Sequence, residues 1–152
     1  MNVLYDTSVL IAALLIEHEN HDLALSRLEM AHQGVVKGYV STHTLAELYS
    51  VMTRLPPPLR VLPDEAEVAT LAVSAEQRAD LLDYLEPVPL FADEYQQAIR
   101  RVVTLKLVGG GIFDAVIAQA ALKAKVEQLL TFNPKDFIRL EDEVASIVQV
   151  PS

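Results

Sequence analysis

Five side chains with metal-binding oxygen atoms stand where a parallel sheet would bring them together. They follow apolar segments or open helical patterns, at Asp6, Glu47, Asp114, Asn133 and Asp136. The carboxyl ends of parallel strands share one edge of a sheet, and ligand sites collect at that edge. Carboxylates gathered there repel one another unless a cation neutralises them. We therefore expect one negatively charged site built from residues far apart in the chain.

The chemistry open to such a cluster is that of a hard cation. Oxygen ligands without cysteine or a histidine pair favour Mg²⁺ or Mn²⁺ over Zn²⁺, and the sequence has no cysteine. One or two such ions lower the pKa of bound water and stabilise the charge that develops during in-line displacement at phosphorus. The residue types therefore favour a reaction at a phosphate ester.

Each acid also has a purely structural explanation. Asp6 can cap a helix, and Glu47 completes the pattern Thr44-x-x-Glu47 of a capping box, in which the glutamate accepts the N-cap N–H. Asp114 lies in the first turn of a predicted helix, where the helix dipole favours a carboxylate. Asp136 can cap a turn. The sequence leaves these alternatives open.

Strand-like and helix-like patterns alternate along the chain. Strands are predicted at 3–5, 35–40 and 128–132, and edge strands or extended segments at 87–90 and 147–150. Helices are predicted to begin at Val9, after Asn20 or Asp22, within the polar cluster 41–44, after Asp93 as a cap, and at Phe113, with one or two more between Glu65 and Leu85. Residues 133–137 are predicted to form a turn. The alternation predicts an α/β sandwich whose parallel sheet is covered on both faces.

Length and composition favour a single domain that spans residues 1–152. Hydrophobic residues make up 51% of the chain, yet the longest strongly apolar run, Val9 to Ile16, is far below the roughly 20 residues of a membrane span. No basic segment or cleavage site accompanies that run, so it does not resemble a signal peptide. Since cysteines for disulfides are also missing, we expect a cytoplasmic protein without a membrane partner.

The net charge of −9 argues against a broad electrostatic surface for nucleic acid, because such binding depends on Lys and Arg. It does not exclude a nuclease, since a divalent cation offsets the charge of an acidic site locally. Five basic side chains are candidates for phosphate contacts: Arg54, Arg60, Lys106, Lys123 and Lys135. The glycines at 109–111 lack the lysine and the Ser/Thr of a P-loop, so they are not assigned to phosphate binding.

Four segments of the sequence resemble the successive motifs of one nuclease family. They are VLYDTSVL at 3–10, LAELY at 45–49, IFDAVIA at 112–118 and LLTFNPKDF at 129–137. In this order and spacing they are similar to the motifs of PIN-domain nucleases, and most similar to the ribonuclease toxins of the VapBC toxin–antitoxin type. The resemblance extends over nearly the whole chain.

The resemblance implies a fold, an activity and partners. It implies a three-layer α/β/α sandwich with a parallel sheet of about five strands. It further implies an Mg²⁺- or Mn²⁺-dependent endoribonuclease, a homodimer, and inhibition by a small cognate antitoxin that covers the site. The apolar composition independently predicts a homodimer through helical surfaces.

Carried over by position, Asp6, Glu47 and Asp114 match the acidic triad that binds metal and activates water. The family often has a fourth acid where this chain has Asn133, and an amide can ligate a cation but brings no charge. Whether Asp136 compensates or caps a turn, and whether one or two ions bind, stays open. The hydroxyls of two threonines are expected to orient the carboxylates: Thr7 and Thr131.

Other interpretations of the same residues also stay open. A PIN-like module degraded at Asn133 would bind RNA or a protein partner without cleavage. An aspartyl-phosphate enzyme with Asp6 as nucleophile is disfavoured, because Ser8 stands where a second aspartate would be expected. His43 and Glu47 share a helix face, so His43 is either a ligand or proton relay or, as we prefer, a partly exposed histidine of the capping region.

Overall fold

Five parallel strands form one sheet in the computed structural model, which describes residues 1–71 and 85–152. The strands are β1 (Asn2–Tyr5), β2 (Lys37–Ser41), β3 (Glu86–Val88), β4 (Gln128–Leu130) and β5 (Val148–Gln149). Their order across the sheet is β3-β2-β1-β4-β5. Pro87 lies on the edge strand β3, where a missing N–H is tolerated. The central position of β1 places the residue after it, Asp6, at the middle of the carboxyl edge.

Helices follow the strands through the described part of the chain. They are α1 (Thr7–Leu14), α2 (His21–His32), α3 (Thr42–Arg54), α4 (Pro63–Leu71), α5 (Ala92–Thr104), α6 (Gly111–Lys123), α7 (Pro134–Ile138) and α8 (Asp142–Ala145). None of these described helices combines the length and the apolarity that crossing a bilayer requires.

The two faces of the sheet belong to two different apolar clusters. In β1, Val3 and Tyr5 pack into one cluster with side chains of α1, α2 and α3, whereas Leu4 packs into the other with α5 and α6. Because side chains alternate along a strand, a run that is apolar at every position must be buried on both faces. The predicted three-layer α/β/α sandwich with about five parallel strands is therefore confirmed.

The capping-box interpretation of Glu47 is wrong. Helix α3 begins at Thr42 with Ser41 as its N-cap, so Thr44 lies inside the helix and Glu47 is not its third residue. The Thr44 side chain is buried and pairs with Thr7. Glu47 therefore does not cap α3.

Several boundaries differ from those predicted, because capping and turn geometry decide them. Helix α1 begins at Thr7 rather than Val9, since Asp6 takes the N-cap position. Asp93 is not the cap of α5: that helix begins at Ala92, and the Glu94 carboxylate accepts the N–H of Phe91. Smaller shifts affect β2, β4 and α6. In place of the turn predicted at 133–137, the short helix α7 spans 134–138. Of the predicted helices between 65 and 85, α4 is seen, and 72–84 lie outside the described residues.

A close approach at Gly38 sets the distance between β2 and its neighbours. A Cβ there would lie 2.5 Å from Leu85 Cδ2, 2.8 Å from Ala31 Cβ and 3.3 Å from Tyr5 Cε2. Only glycine fits this position without displacing the helix or the strand. The packing thereby fixes β2, from which α3 carries Glu47 to the carboxyl edge.

Candidate active site

The sequence-predicted acids line one cleft at the carboxyl edge of the sheet. The cleft has a volume of about 460 Å³, and its walls include Asp6, Thr7, Ser8, Glu47, Asp114, Asn133 and Asp136. Asp6 comes from the end of β1, Glu47 from the middle of α3 and Asp114 from the first turn of α6. Residues more than 100 positions apart thus share one cavity, as the parallel topology requires.

Asp6 is the most deeply buried acid of the cleft, at 4% exposure. Its Oδ2 accepts hydrogen bonds from Ser8 Oγ at 2.7 Å, from Thr131 Oγ1 at 2.8 Å and from the Ser8 N–H at 3.4 Å. Burial nevertheless raises the pKa of Asp6, and these hydrogen bonds only partly oppose the rise. The side chain is therefore firmly oriented but unfavourable as an isolated anion.

Glu47 differs from Asp6 because a histidine accompanies it. His43 Nε2 lies 3.1 Å from Glu47 Oε2, one turn away on α3. This hydrogen bond is the main cause that lowers the pKa of Glu47; the Thr7 hydroxyl and the charge of Arg54 act in the same direction, and partial burial opposes them. Glu47 is therefore held in its ionised form.

The pKa of Asp114 is raised by burial and by the neighbouring carboxylates together. Burial, followed by repulsion from Asp136 and Asp6, raises its pKa to about 6. Arg139 opposes the shift: its Nη2 lies 3.3 Å from Asp114 Oδ2. The repulsion shows that these carboxylates interact across the cleft, and Arg139 compensates only part of it.

The other residues predicted for the site are Thr131, Thr7 and Asn133, and each makes a different contact. Thr131 bonds Asp6, and its Oγ1 also accepts the N–H of Asn133 at 2.9 Å, which ties the start of α7 to the acid. Thr7 Oγ1 donates to Thr44 Oγ1 at 3.1 Å and lies beside Glu47. Asn133 is the N-cap residue of α7 without using its side chain as a cap.

The donor set fits a hard divalent cation. Within residues 1–71 and 85–152, no three Asp, Glu or His side chains lie close enough to enclose an ion as they stand. The chemistry of the donors is nevertheless suitable, since the cleft offers several carboxylates and one amide. Burial raises the pKa of Asp6, and burial with repulsion from Asp136 and Asp6 raises that of Asp114, so a nearby positive charge would favour both anions. A cation that drew the carboxylates together would supply it.

Three residues of the site were not predicted from the sequence. Ser8 Oγ joins Asp6 to the N–H of Phe132, and Arg139 pairs with Asp114. Phe113 stacks on His43. An Asp-x-Ser spacing could have indicated the first, whereas the other two depend on contacts between distant parts of the chain. Among the predicted phosphate contacts, Lys123 instead bonds Glu94 and the Pro89 carbonyl.

A parallel sheet with an acidic cleft at its carboxyl edge defines a class of α/β proteins with an oxygen-ligand site. The family model of the PIN domain matches residues 3–143. Over 126 residues the chain is 36% identical to Ribonuclease VapC40 of Mycobacterium tuberculosis. This match covers 83% of the chain and 82% of the relative. It is 32% identical to Ribonuclease VapC27 of the same organism over 123 residues, or 80% and 78% of the two chains.

The fold has a solved counterpart as well. A crystal structure of VapBC2 from Rickettsia felis, bound to a DNA fragment from their promoter, matches with a TM-score of 0.65 over 100% of both chains at 19% identity. The chain therefore belongs to the PIN-domain family, among proteins of the VapC ribonuclease type. The resemblance that the four sequence motifs indicated is confirmed.

Proposed function

We propose that this protein is a divalent-metal-dependent endoribonuclease that hydrolyses RNA phosphodiester bonds as the toxin of a type II toxin–antitoxin module. The observation that carries the proposal is the convergence of Asp6, Glu47 and Asp114 on one cleft. The ribonuclease names of its VapC relatives support the activity. The VapBC2 neighbour shows the same fold in a protein from such a pair.

The cation, Mg²⁺ or Mn²⁺, would be held by Asp6, Glu47 and Asp114, with Asp136 or Asn133 as a further oxygen ligand. When bound, it supplies the Lewis acidity that makes water a stronger nucleophile and stabilises charge developing at phosphorus. A set of carboxylates and an amide suits these ions better than Zn²⁺. Whether the cleft holds one ion or two depends on whether Asp136 approaches the other carboxylates.

The chain's own residues orient the reaction. Ser8 and Thr131 hold Asp6 in one rotamer, and His43 orients Glu47 and keeps it ionised, as a ligand of a cation must be. Attack in line with the leaving 3′-oxygen forms the new phosphorus–oxygen bond as the old one breaks. The products would be a 5′-phosphate and a 3′-hydroxyl, without participation of the substrate 2′-hydroxyl.

The competing function is a PIN module that binds RNA or a protein without cleavage. Two observations favour it: Asn133 brings no charge, and no three ligands are preassembled among the described residues. Calorimetric titration with Mn²⁺ separates the two functions. A nuclease should bind the ion at a site that Asp114→Asn weakens, whereas a degraded module should show no such binding.

Removal of metal is the direct test of the activity. We expect cleavage of single-stranded RNA in Mg²⁺ or Mn²⁺, its loss in excess EDTA, and its return when the ion is restored. End labelling should find 5′-phosphate and 3′-hydroxyl termini. Cleavage that persists in EDTA, or 2′,3′-cyclic phosphate ends, would contradict the proposed mechanism. Adding the protein encoded by the neighbouring gene should suppress cleavage if that protein is the antitoxin.

We further propose a homodimer that uses the outer face of α5. The side chains Phe91, Tyr95, Ile99 and Val103 recur every four residues and are exposed by 66%, 40%, 49% and 69%. Residues at this spacing lie on one helix face, so they form a continuous apolar stripe. Such a stripe in contact with water is unfavourable, and burying it against a second copy would remove that penalty.

Sedimentation at micromolar concentration tests this dimer. We expect a dimer for the wild-type protein and a monomer for Ile99→Lys, because a charge at the centre of the stripe would be buried without a partner. The matched control is Val35→Lys, a similarly exposed apolar residue in the loop before β2. A wild-type monomer, or loss of the dimer in both variants, would be inconsistent with this interface.

A further inference from the structure

Phe113 is an aromatic side chain placed beside the cleft rather than in the core. It precedes Asp114 in the first turn of α6, is 50% exposed, and belongs to neither apolar cluster. Its ring stacks on that of His43, with ring centroids 5.1 Å apart and an interplanar angle of 5°. His43 in turn bonds Glu47. The stacked pair therefore connects the first turn of α6, which carries Asp114, to Glu47 on α3.

The charge of the chain makes such a surface useful for nucleic acid. The net charge of −9 argues against a broad basic surface that would bind RNA by neutralising its backbone phosphates. Stacking of bases on aromatic rings needs no positive charge and tolerates any sequence, because every base has a π-face. Single-stranded RNA offers unstacked bases for this contact.

We propose that Phe113, supported by the ring of His43, is the stacking platform for a nucleobase of single-stranded RNA next to the phosphate in the cleft. The inference rests on the proposed ribonuclease function and adds a subsite to it. Backing by a parallel ring fixes the plane of Phe113, so an incoming base meets a preformed surface. Purines, which stack more strongly, should be preferred at this position.

The absence of tryptophan from the sequence allows a direct test. Phe113→Trp would introduce a single tryptophan, whose fluorescence a stacked base should quench. We expect quenching when a single-stranded oligoribonucleotide is mixed with this variant in Mg²⁺ by stopped flow, before cleavage proceeds. The control is Val35→Trp, in which the reporter replaces an exposed residue in the loop before β2, at the opposite edge of the sheet from the cleft. It should not be quenched.

Steady-state kinetics gives an independent readout. Phe113→Leu keeps an apolar side chain but removes the π-face, and we expect KM to rise about 5- to 150-fold, the range for losing one base–aromatic stack. The value of kcat should change much less, and Phe113→Tyr should restore KM. An RNA with an abasic site at the stacked nucleotide should make the wild type and Phe113→Leu equal.

The outcomes separate this inference from the function on which it rests. Mg²⁺-dependent cleavage without quenching of Trp at position 113, or with an unchanged KM in Phe113→Leu, would overturn the platform alone. Quenching without any cleavage would support the platform and contradict the nuclease. Quenching by the antitoxin candidate but not by RNA would overturn the platform and assign the ring to a protein interface.

Discussion

Replacing Asp6 by asparagine should lower RNA cleavage by about 100-fold or more and leave the fold intact. The size of the loss is that expected when one group that stabilises charge in the transition state is removed. The fold should persist because asparagine caps helices as well as aspartate does, and its oxygen can accept the hydrogen bonds from Ser8 and Thr131. Burial already disfavours the Asp6 anion, so loss of the charge should not destabilise the metal-free protein.

Cleavage of a labelled RNA and thermal unfolding in EDTA together test this expectation. The matched control is Asp93→Asn, which removes one negative charge from an exposed acid in the first turn of α5 and should leave cleavage unchanged. If Asp6→Asn retains activity, Asp6 is only a helix cap. If the variant is unfolded, the charge of Asp6 stabilises the fold, contrary to what its raised pKa indicates.

The sequence predicted those parts of the site that depend on short-range patterns. Asp6 could be placed because an apolar segment followed by a capping residue marks the end of a strand and the start of a helix. Asp114 could be placed because it follows a glycine-rich turn and opens an alanine-rich helix. Once the strands are parallel, both acids must lie at the same edge, and the structure places them in one cleft.

The parts that were not predicted depend on contacts between distant segments. His43 and Phe113 are 70 positions apart, and their stacking depends on how α3 and α6 cross, which no local pattern encodes. The pairing of Arg139 with Asp114 likewise requires the chain after α7 to return to the start of α6. The capping-box error at Glu47 arose because Ser41 and Thr42 compete with Thr44 as helix starts, and tertiary packing of the Thr44 side chain decides between them.

Stability in the absence of metal should fall as pH rises from about 4 to 7, because of Asp114. Its pKa is about 6 in the folded protein and about 3.9 in an unfolded chain. Well below a pH of about 3.9, both states are protonated and the group has no effect. Between the two pKa values the unfolded state releases its proton while the folded state retains it, so rising pH favours unfolding. Above about pH 7 both states are ionised and the full penalty is present.

The variant Asp114→Asn should remove this penalty. Because the side chain is partly exposed, solvent screening reduces the effect, and we expect the free energy of unfolding to increase by about 1–2 kcal/mol at pH 7.5. Near pH 4 the two proteins should be equally stable. The measurement is chemical denaturation in EDTA across this pH range.

Magnesium should reverse the order of stability. A cation that binds the folded wild type adds stability by mass action, and the asparagine variant lacks one of its charged ligands. At pH 7.5, Mg²⁺ should therefore raise the unfolding free energy of the wild type above that of Asp114→Asn, as measured by chemical denaturation. If the wild type is the more stable protein in EDTA at pH 7.5, then the Arg139 ion pair outweighs burial and repulsion from Asp136. The cleft would in that case tolerate its charges without a metal ion.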